Sequence, residues 1–251
     1  MIETAAALVL AHLLADFLLQ SDRMAATKAR PASLAAHLGV VAATSWLALG
    51  LPLAPAPLLL LVLAHGATDA AKARLAPRGF AGFALDQAAH LAAIWLVASL
   101  WPGLWAQGLW AQPALLDRLP GLGRLPAAMT IAAGLAAAVW AGGYAVREMM
   151  HGLKGLPADP EADDSLPNGG QLIGRLERLM ILMLLVADQP DGIGLLIAAK
   201  SILRFNELAK DADKDSGRRA SEYVIIGTLA SFAWAIGVGF ATQWTLRALA
   251  P

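Results

Sequence analysis

The sequence predicts an all-α fold, a polytopic bundle of about six transmembrane helices with one short re-entrant or interfacial helical hairpin. Of the 251 residues, 58% are hydrophobic and only 15% are charged, whereas an average soluble domain is about 25% charged. Apolar stretches close to the roughly 18 residues that cross a bilayer recur along the chain. The charged residues are concentrated between these stretches.

The first 105 residues are predicted to form a membrane unit of two helical hairpins. Its helices cover roughly residues 4–20, 33–51, 58–71 and 83–101. We expect the first helix to be retained rather than removed as a signal peptide, because no basic segment precedes it. Residues 106–125 contain Trp110 and follow Trp101 and Trp105. Since tryptophan prefers the interface between water and lipid, this segment is predicted to be an interfacial connection.

Residues 126–251 are predicted to form a C-terminal membrane unit. A fifth helix covers roughly 126–146 and a final helix 222–247. Between them, the apolar runs 176–187 and 193–205 are each too short to span a bilayer comfortably. We therefore expect a helical hairpin over 175–205.

Basic residues follow the first, third and fifth predicted helices, whereas the loop 52–57 has no charge. Because basic loops stay in the cytoplasm, the expected orientation has both chain termini outside.

Histidine and aspartate recur one helical turn apart in the predicted membrane helices. The pairs are His12 with Asp16, His65 with Asp69, and His90 with Asp86. A spacing of four places both side chains of a pair on one helix face. The order within the pair reverses in the fourth helix, which runs in the opposite direction. All three aspartates are therefore expected toward the cytoplasm, with the histidines one turn deeper.

The same residues indicate an internal repeat. A shift of 53 positions places His12 on His65, Asp16 on Asp69 and His37 on His90. Three matches at one offset indicate a duplicated helical hairpin. In the first copy, the position that corresponds to Asp86 is occupied by Ser33, so the repeat is incomplete.

Ionisable groups within a membrane are costly and are functional candidates. The chain has no cysteine, so a metal would need nitrogen and oxygen ligands, which suit zinc, manganese or iron. We expect a divalent metal, zinc before manganese or iron, and His37 could complete a two-metal site. A metal-free proton or hydrogen-bond network and simple helix packing remain alternatives. The predicted metal ligands are His12, Asp16, His37, His65, Asp69, Asp86 and His90, with Asp16, Asp69 and Asp86 also as catalytic residues.

Further polar residues lie near the ends of the predicted helices. Gln20 and Lys72 are predicted at the cytoplasmic mouth of the site. Lys200 lies inside an apolar run, where it could pair with Glu177 or Glu222, or bind an anionic group. The predicted substrate-binding residues are Gln20, Lys72, Arg175, Glu177, Lys200 and Arg204.

Several motifs resemble domain-of-unknown-function family 3307, a family of bacterial integral membrane proteins. They are His12-Leu-Leu-Ala-Asp16-Phe-Leu-Leu-Gln20 with Met24, Lys28 and His37; His65-x3-Asp69-x2-Lys72; Asp86-Gln87-x2-His90; Gly174-Arg175-Leu-Glu177-Arg178; Ala199-Lys200-Ser201-Ile-Leu-Arg204-Phe205; and Glu222-Tyr223-x3-Gly227-Thr228-Leu-x-Ser231. The resemblance implies a bacterial inner-membrane protein and names no activity. The His/Asp pattern is similar in style to that of membrane-bound metal-dependent hydrolases, which is an analogy.

The leading hypothesis is a metal-dependent hydrolase of a lipid-like or phosphorylated substrate, with its site in the cytoplasmic half of the bilayer. A transporter of metal ions or protons is the first alternative, although the outer halves of the helices are almost wholly apolar. A non-catalytic scaffold or sensor for a cytoplasmic protein is the second. The net charge of zero gives no indication of nucleic-acid binding, and the sequence leaves a homo-oligomer open.

Overall fold

The computed structural model describes residues 1–28, 30–75, 79–151, 169–211 and 215–250, with side chains except at 22, 75, 203–211 and 215–220. Within these ranges the chain is helical and contains no strand, which confirms the all-α prediction. The α-helices are α1 (Ile2–Leu13), α2 (Asp22–Ala26), α3 (Pro31–Ala48), α4 (Pro55–Leu75), α5 (Phe80–Leu100), α6 (Pro113–Arg118), α7 (Leu125–Ala136), α8 (Gly142–His151), α9 (Gly169–Val186), α10 (Asp191–Asp211) and α11 (Asp215–Leu249).

Two helical stretches are interrupted by a wider π-helical turn. One turn, Leu14–Leu18, continues α1, and the other, Ala137–Ala141, joins α7 to α8. The helices predicted over 4–20 and 126–146 correspond to helical stretches over 2–18 and 125–151. Each stretch contains a turn that the apolar periodicity did not indicate.

Four helical segments are long and apolar enough to cross a membrane: Pro31–Ala48, Phe80–Leu100, Pro120–His151 and Ser221–Leu249. By this measure α1 is too short at 12 residues, and α4 carries prolines and several polar residues. Large apolar side chains point outward, among them Leu59 at 60% exposure and Leu85 at 61%. Such outward-facing apolar surface is typical of a helix that meets lipid.

Contacts divide the chain into two compact units, Met1–Ala137 with Trp244–Pro251, and Ala138–Gln243. In the first unit, α1 packs against α3, α5 and α7, and α4 packs against α3 and α5. Several buried side chains of α1 are small, which allows close approach of helix backbones. Its buried alanines are Ala5, Ala6, Ala7 and Ala11.

The C-terminal end of α3 is fixed by a glycine and by the tryptophan-rich segment. Gly50 has φ of +80°, the left-handed conformation that commonly ends a helix. The backbone N–H of Leu109 donates to the Gly50 carbonyl at 2.6 Å, and the Trp110 indole donates to the Leu47 carbonyl at 2.9 Å. The predicted connection therefore packs onto α3 through short 3₁₀ turns.

In the second unit, α9 and α10 form the predicted hairpin. These helices have 18 and 21 residues. They are longer than the apolar runs 176–187 and 193–205 because both continue into polar sequence. A small core of Ile181, Leu185, Ile193, Phe232 and Ala235 joins the hairpin to α11.

Candidate metal centre

Four helical segments of the first unit bring together the predicted histidines and aspartates. We call these seven residues the His/Asp cluster; none of their side chains is more than 7% exposed. His12 lies in the last turn of α1, and Asp16 lies in the π-helical turn that follows. The other members are His37 on α3, His65 and Asp69 on α4, and Asp86 and His90 on α5. The apolar helices thus deliver ionisable groups to one buried position.

Four atoms at the centre of the cluster lie close together. The Nε2 atoms of His37 and His65 are 3.0 Å apart. Asp16 Oδ1 lies 3.3 and 3.4 Å from these two nitrogens, and Asp69 Oδ2 lies 3.5 and 3.6 Å from them. We call these four residues the central quartet. Gln20 lies beside it, with its side-chain amide 3.1 Å from His37 Nδ1.

The hydrogen bonds of His12 and His90 indicate which ring nitrogen carries the proton. His90 Nδ1 lies 2.8 Å from the Asp86 carbonyl oxygen, which can only accept, so Nδ1 donates. His12 Nε2 lies 3.2 Å from Gln87 Oε1, also an acceptor. In the neutral form of each ring, the other nitrogen therefore keeps its lone pair. This arrangement is common for metal-binding histidines, whose second nitrogen donates to an oxygen.

Two lysines bind outer oxygens of the aspartates. Lys28 Nζ lies 2.8 Å from Asp69 Oδ1, and Lys72 Nζ lies 2.7 Å from Asp86 Oδ2. Gln87 also donates to Asp86 Oδ2, at 3.1 Å. Lys72 was predicted at the site, and its side chain is 42% exposed. Lys28 and Gln87 belong to the motifs that resemble the family. They are not among the predicted site residues, because neither spacing nor periodicity links them to the histidines.

Several inward-facing atoms of the cluster have no hydrogen bond. In the described part of the chain, five buried side-chain atoms lack one, and all five belong to the cluster. They are His12 Nδ1, Asp16 Oδ1, Asp69 Oδ2, Asp86 Oδ1 and His90 Nε2. Buried polar groups are rarely left without a partner, and a cluster of exceptions calls for a physical explanation such as an ion.

Three overlapping sets of these residues have ligand atoms near enough to hold a metal ion. They are His12, Asp16 and His65; His37, His65 and Asp69; and Asp69, Asp86 and His90. All atoms of a set lie within 4.8 Å of one another, and the donors are imidazole nitrogen and carboxylate oxygen, which suit zinc, manganese and iron.

A small cavity adjoins the histidine rings. About 10 Å³ of it is open to the centre of a water molecule, which is room for about one water. His12, His65, His90 and Ser45 line it together with apolar residues, which are Leu8, Val41, Leu61, Ala93 and Ile94.

In the second unit, Glu177 and Lys200 pair with each other, with Nζ and Oε2 2.7 Å apart. The sequence left three partners open for Lys200, and in the structure Lys200 pairs with Glu177. Arg175 is exposed, and the side chain of Arg204 lies outside the described residues. The buried Arg178 was not predicted as a site residue. Its guanidinium donates hydrogen bonds to Ala138, Val139 and Ser231 of the second unit.

The sequence of this chain matches the model of one protein family. Residues 5–113 match the family described as Protein of unknown function (DUF3307). The DUF3307 match confirms the resemblance inferred from the motifs and contains all seven residues of the His/Asp cluster, as well as Lys28 and Lys72. The motifs beyond residue 113, including that around Lys200, lie outside it. No curated protein and no solved structure matches the chain.

Proposed function

We propose that the His/Asp cluster is the metal centre of a membrane-embedded hydrolase that acts on a lipid-like or phosphorylated substrate at the cytoplasmic leaflet. The observation that carries this proposal is the set of five buried atoms without a hydrogen bond, all of which belong to the cluster. A cation bound by the central quartet would satisfy two of them, Asp16 Oδ1 and Asp69 Oδ2, whose lone pairs are otherwise costly to bury.

The central quartet offers four nitrogen and oxygen atoms to a single ion, and zinc prefers four such ligands in a tetrahedral arrangement. Zinc binds nitrogen and oxygen at about 2.0–2.1 Å, so neighbouring ligand atoms of a tetrahedral site are about 3.3–3.4 Å apart. Five separations among the four atoms of the quartet range from 3.0 to 3.6 Å. We therefore propose His37, His65, Asp16 and Asp69 as the metal ligands and zinc as the metal, with manganese or iron as alternatives.

A metal here would lower the pKa of a bound water and polarise an ester or phosphoryl oxygen. Asp86 is the general base that we propose, because its Oδ1 is buried without a hydrogen bond and it is not part of the central quartet. Lys72 binds the other oxygen of Asp86 and is partly exposed, so its ammonium could meet the anionic part of a substrate. Arg175, Glu177, Lys200 and Arg204 remain sequence-based predictions for substrate binding.

The membrane arrangement that we propose has about six crossings, with both termini outside and the aspartates toward the cytoplasm. The positions of the basic loops support it. The native chain has no cysteine, so single cysteines report the orientation cleanly. An impermeant maleimide should label Leu53→Cys from outside and Arg23→Cys only after the membrane is opened; the reverse pattern would refute the orientation.

Transport is less well supported than hydrolysis. A transporter needs a polar path through the whole membrane, but the cavity next to the histidines has room for only about one water. Of its lining residues outside the cluster, only Ser45 is polar. Zinc or proton flux in proteoliposomes would support transport instead.

The experiment that tests the proposed function separates metal binding from catalysis. Detergent-purified protein is assayed against phosphate monoesters, phosphate diesters and carboxylic esters, with and without zinc. Asp86→Asn should retain the metal and lose at least 100-fold in kcat, since a general base contributes about 10²–10⁴-fold. His65→Ala should lose both metal and activity. Zinc-loaded protein that hydrolyses none of these ester classes, or an Asp86→Asn variant of full activity, would contradict the proposal.

A further inference from the structure

Lys28 reaches the centre of the cluster from outside the helices that build it. It follows α2, in the short segment between the π-helical turn and α3. Its Nζ lies 2.8 Å from Asp69 Oδ1, and its side chain is only 18% exposed. The ammonium is therefore a largely buried cation held against one oxygen of a carboxylate that is itself 1% exposed.

The two oxygens of Asp69 face two different groups of ligands. Oδ2 faces the central quartet, 3.5 and 3.6 Å from the histidine nitrogens of His37 and His65. Oδ1 lies 4.0 Å from His90 Nε2, and Asp69, Asp86 and His90 form a second set that could hold a metal. A carboxylate in this position would bridge two cations, which in two-metal enzymes lie about 3.5–4 Å apart.

The second cation position already has a positive charge beside it. Lys28 binds Asp69 Oδ1, the oxygen that a bridging carboxylate would give to the second metal. With both lysines charged, the three aspartates keep one uncompensated negative charge, which one divalent ion more than neutralises. A second divalent ion on Asp69 Oδ1 would also lie directly beside the Lys28 ammonium, which is bound to the same oxygen at 2.8 Å, and like charges this close repel strongly in a buried site.

We propose that the Lys28 ammonium stands in for a second metal, so that the cluster binds one divalent cation although its ligands could hold two. This inference rests on the proposed metal centre. It makes Lys28 the residue that sets metal stoichiometry, and it assigns Asp86 Oδ1 and His90 Nε2 to a position that becomes available to a cation only when Lys28 is replaced by a neutral residue.

The test is metal stoichiometry, measured by mass spectrometry after zinc loading and removal of free metal. The native protein should bind one zinc per chain, and Lys28→Met should bind two. Lys28→Gln is a second neutral variant that can still donate to Asp69, and it should also bind two. Size-exclusion elution identifies any variant that fails to fold.

Two control variants separate the charge at this position from charge in general. Lys28→Arg keeps the charge and should bind one zinc. Lys72→Met removes the other lysine, which binds the outer Oδ2 of Asp86, and it should also bind one. Two zinc ions in the native protein, or one or none in both neutral Lys28 variants, would overturn the inference. No zinc in the native protein would instead overturn the metal centre itself.

Discussion

Arg178 is a buried cation, and each of its three side-chain nitrogens donates one hydrogen bond to an oxygen. It is 4% exposed, its Nε donates to the Ala138 carbonyl at 2.8 Å, and its Nη2 donates to the Val139 carbonyl at 3.1 Å. Its Nη1 donates to Ser231 Oγ at 2.9 Å. These bonds connect α9, the π-helical turn before α8, and α11. The planar fork of arginine suits such convergent acceptors, which lysine could not satisfy together.

Replacing Arg178 should therefore destabilise the second unit. Arg178→Met removes three hydrogen bonds and leaves buried carbonyl groups without their donors, so we expect a loss of the order of 3 kcal/mol and a lower Tm in detergent. Arg175→Met is the matched control, since Arg175 lies on the same helix but is exposed. A Tm for Arg178→Met equal to that of the control would show that these bonds contribute little.

At the scale of elements, the π-helical turns position functional groups. In such a turn the backbone departs from the i to i−4 hydrogen-bond pattern, and single π turns occur frequently at functional sites. Leu14–Leu18 contains Asp16 of the central quartet. Ala137–Ala141 contains the two carbonyls that accept from Arg178. Each turn thus offers a polar group from a helix that is otherwise apolar.

The packing of the tryptophan-rich segment onto α3 depends on a second glycine, Gly108. A Cβ at Gly108 would overlap the Leu49 carbonyl oxygen, so a side chain there forces the two backbones apart. We expect Gly108→Ala to cost of the order of 2 kcal/mol. Gly103→Ala is the matched control, because a Cβ at Gly103 would meet nothing within 4 Å. Thermal unfolding of the two variants tests this, and equal Tm values would count against a tight contact.

For the whole molecule, hydrophobic periodicity and the repeat predicted the main features of the first unit. His65 and Asp69 are four positions apart, so helix geometry alone places their side chains on one face. This part of the site could therefore be predicted from the sequence. The helix ends of the α9–α10 hairpin could not, because both helices continue beyond their apolar runs. Lys28 was also missed as a site residue, since it reaches Asp69 across 41 positions from a segment without periodicity.

The prediction of one depth for the histidines and aspartates came from their reversed order in the fourth helix. The structure adds what that order could not give, namely which oxygen of each aspartate faces inward. Lys28 and Lys72 bind outer oxygens, and the inward ones, Asp69 Oδ2 and Asp86 Oδ1, have no hydrogen bond. This division of the Asp69 and Asp86 carboxylates, with one oxygen on a lysine and the other without a hydrogen bond, supports the proposed metal centre.

Metal content measured by mass spectrometry on detergent-purified protein tests that centre most directly. The native protein should contain about one zinc, manganese or iron per chain after loading, and His65→Ala should lose it, because His65 belongs to the central quartet. His151→Ala should retain it, since His151 is exposed at the end of α8 in the second unit. A native protein that stays metal-free when offered all three metals, or a His65→Ala variant with an unchanged metal content, would contradict the account.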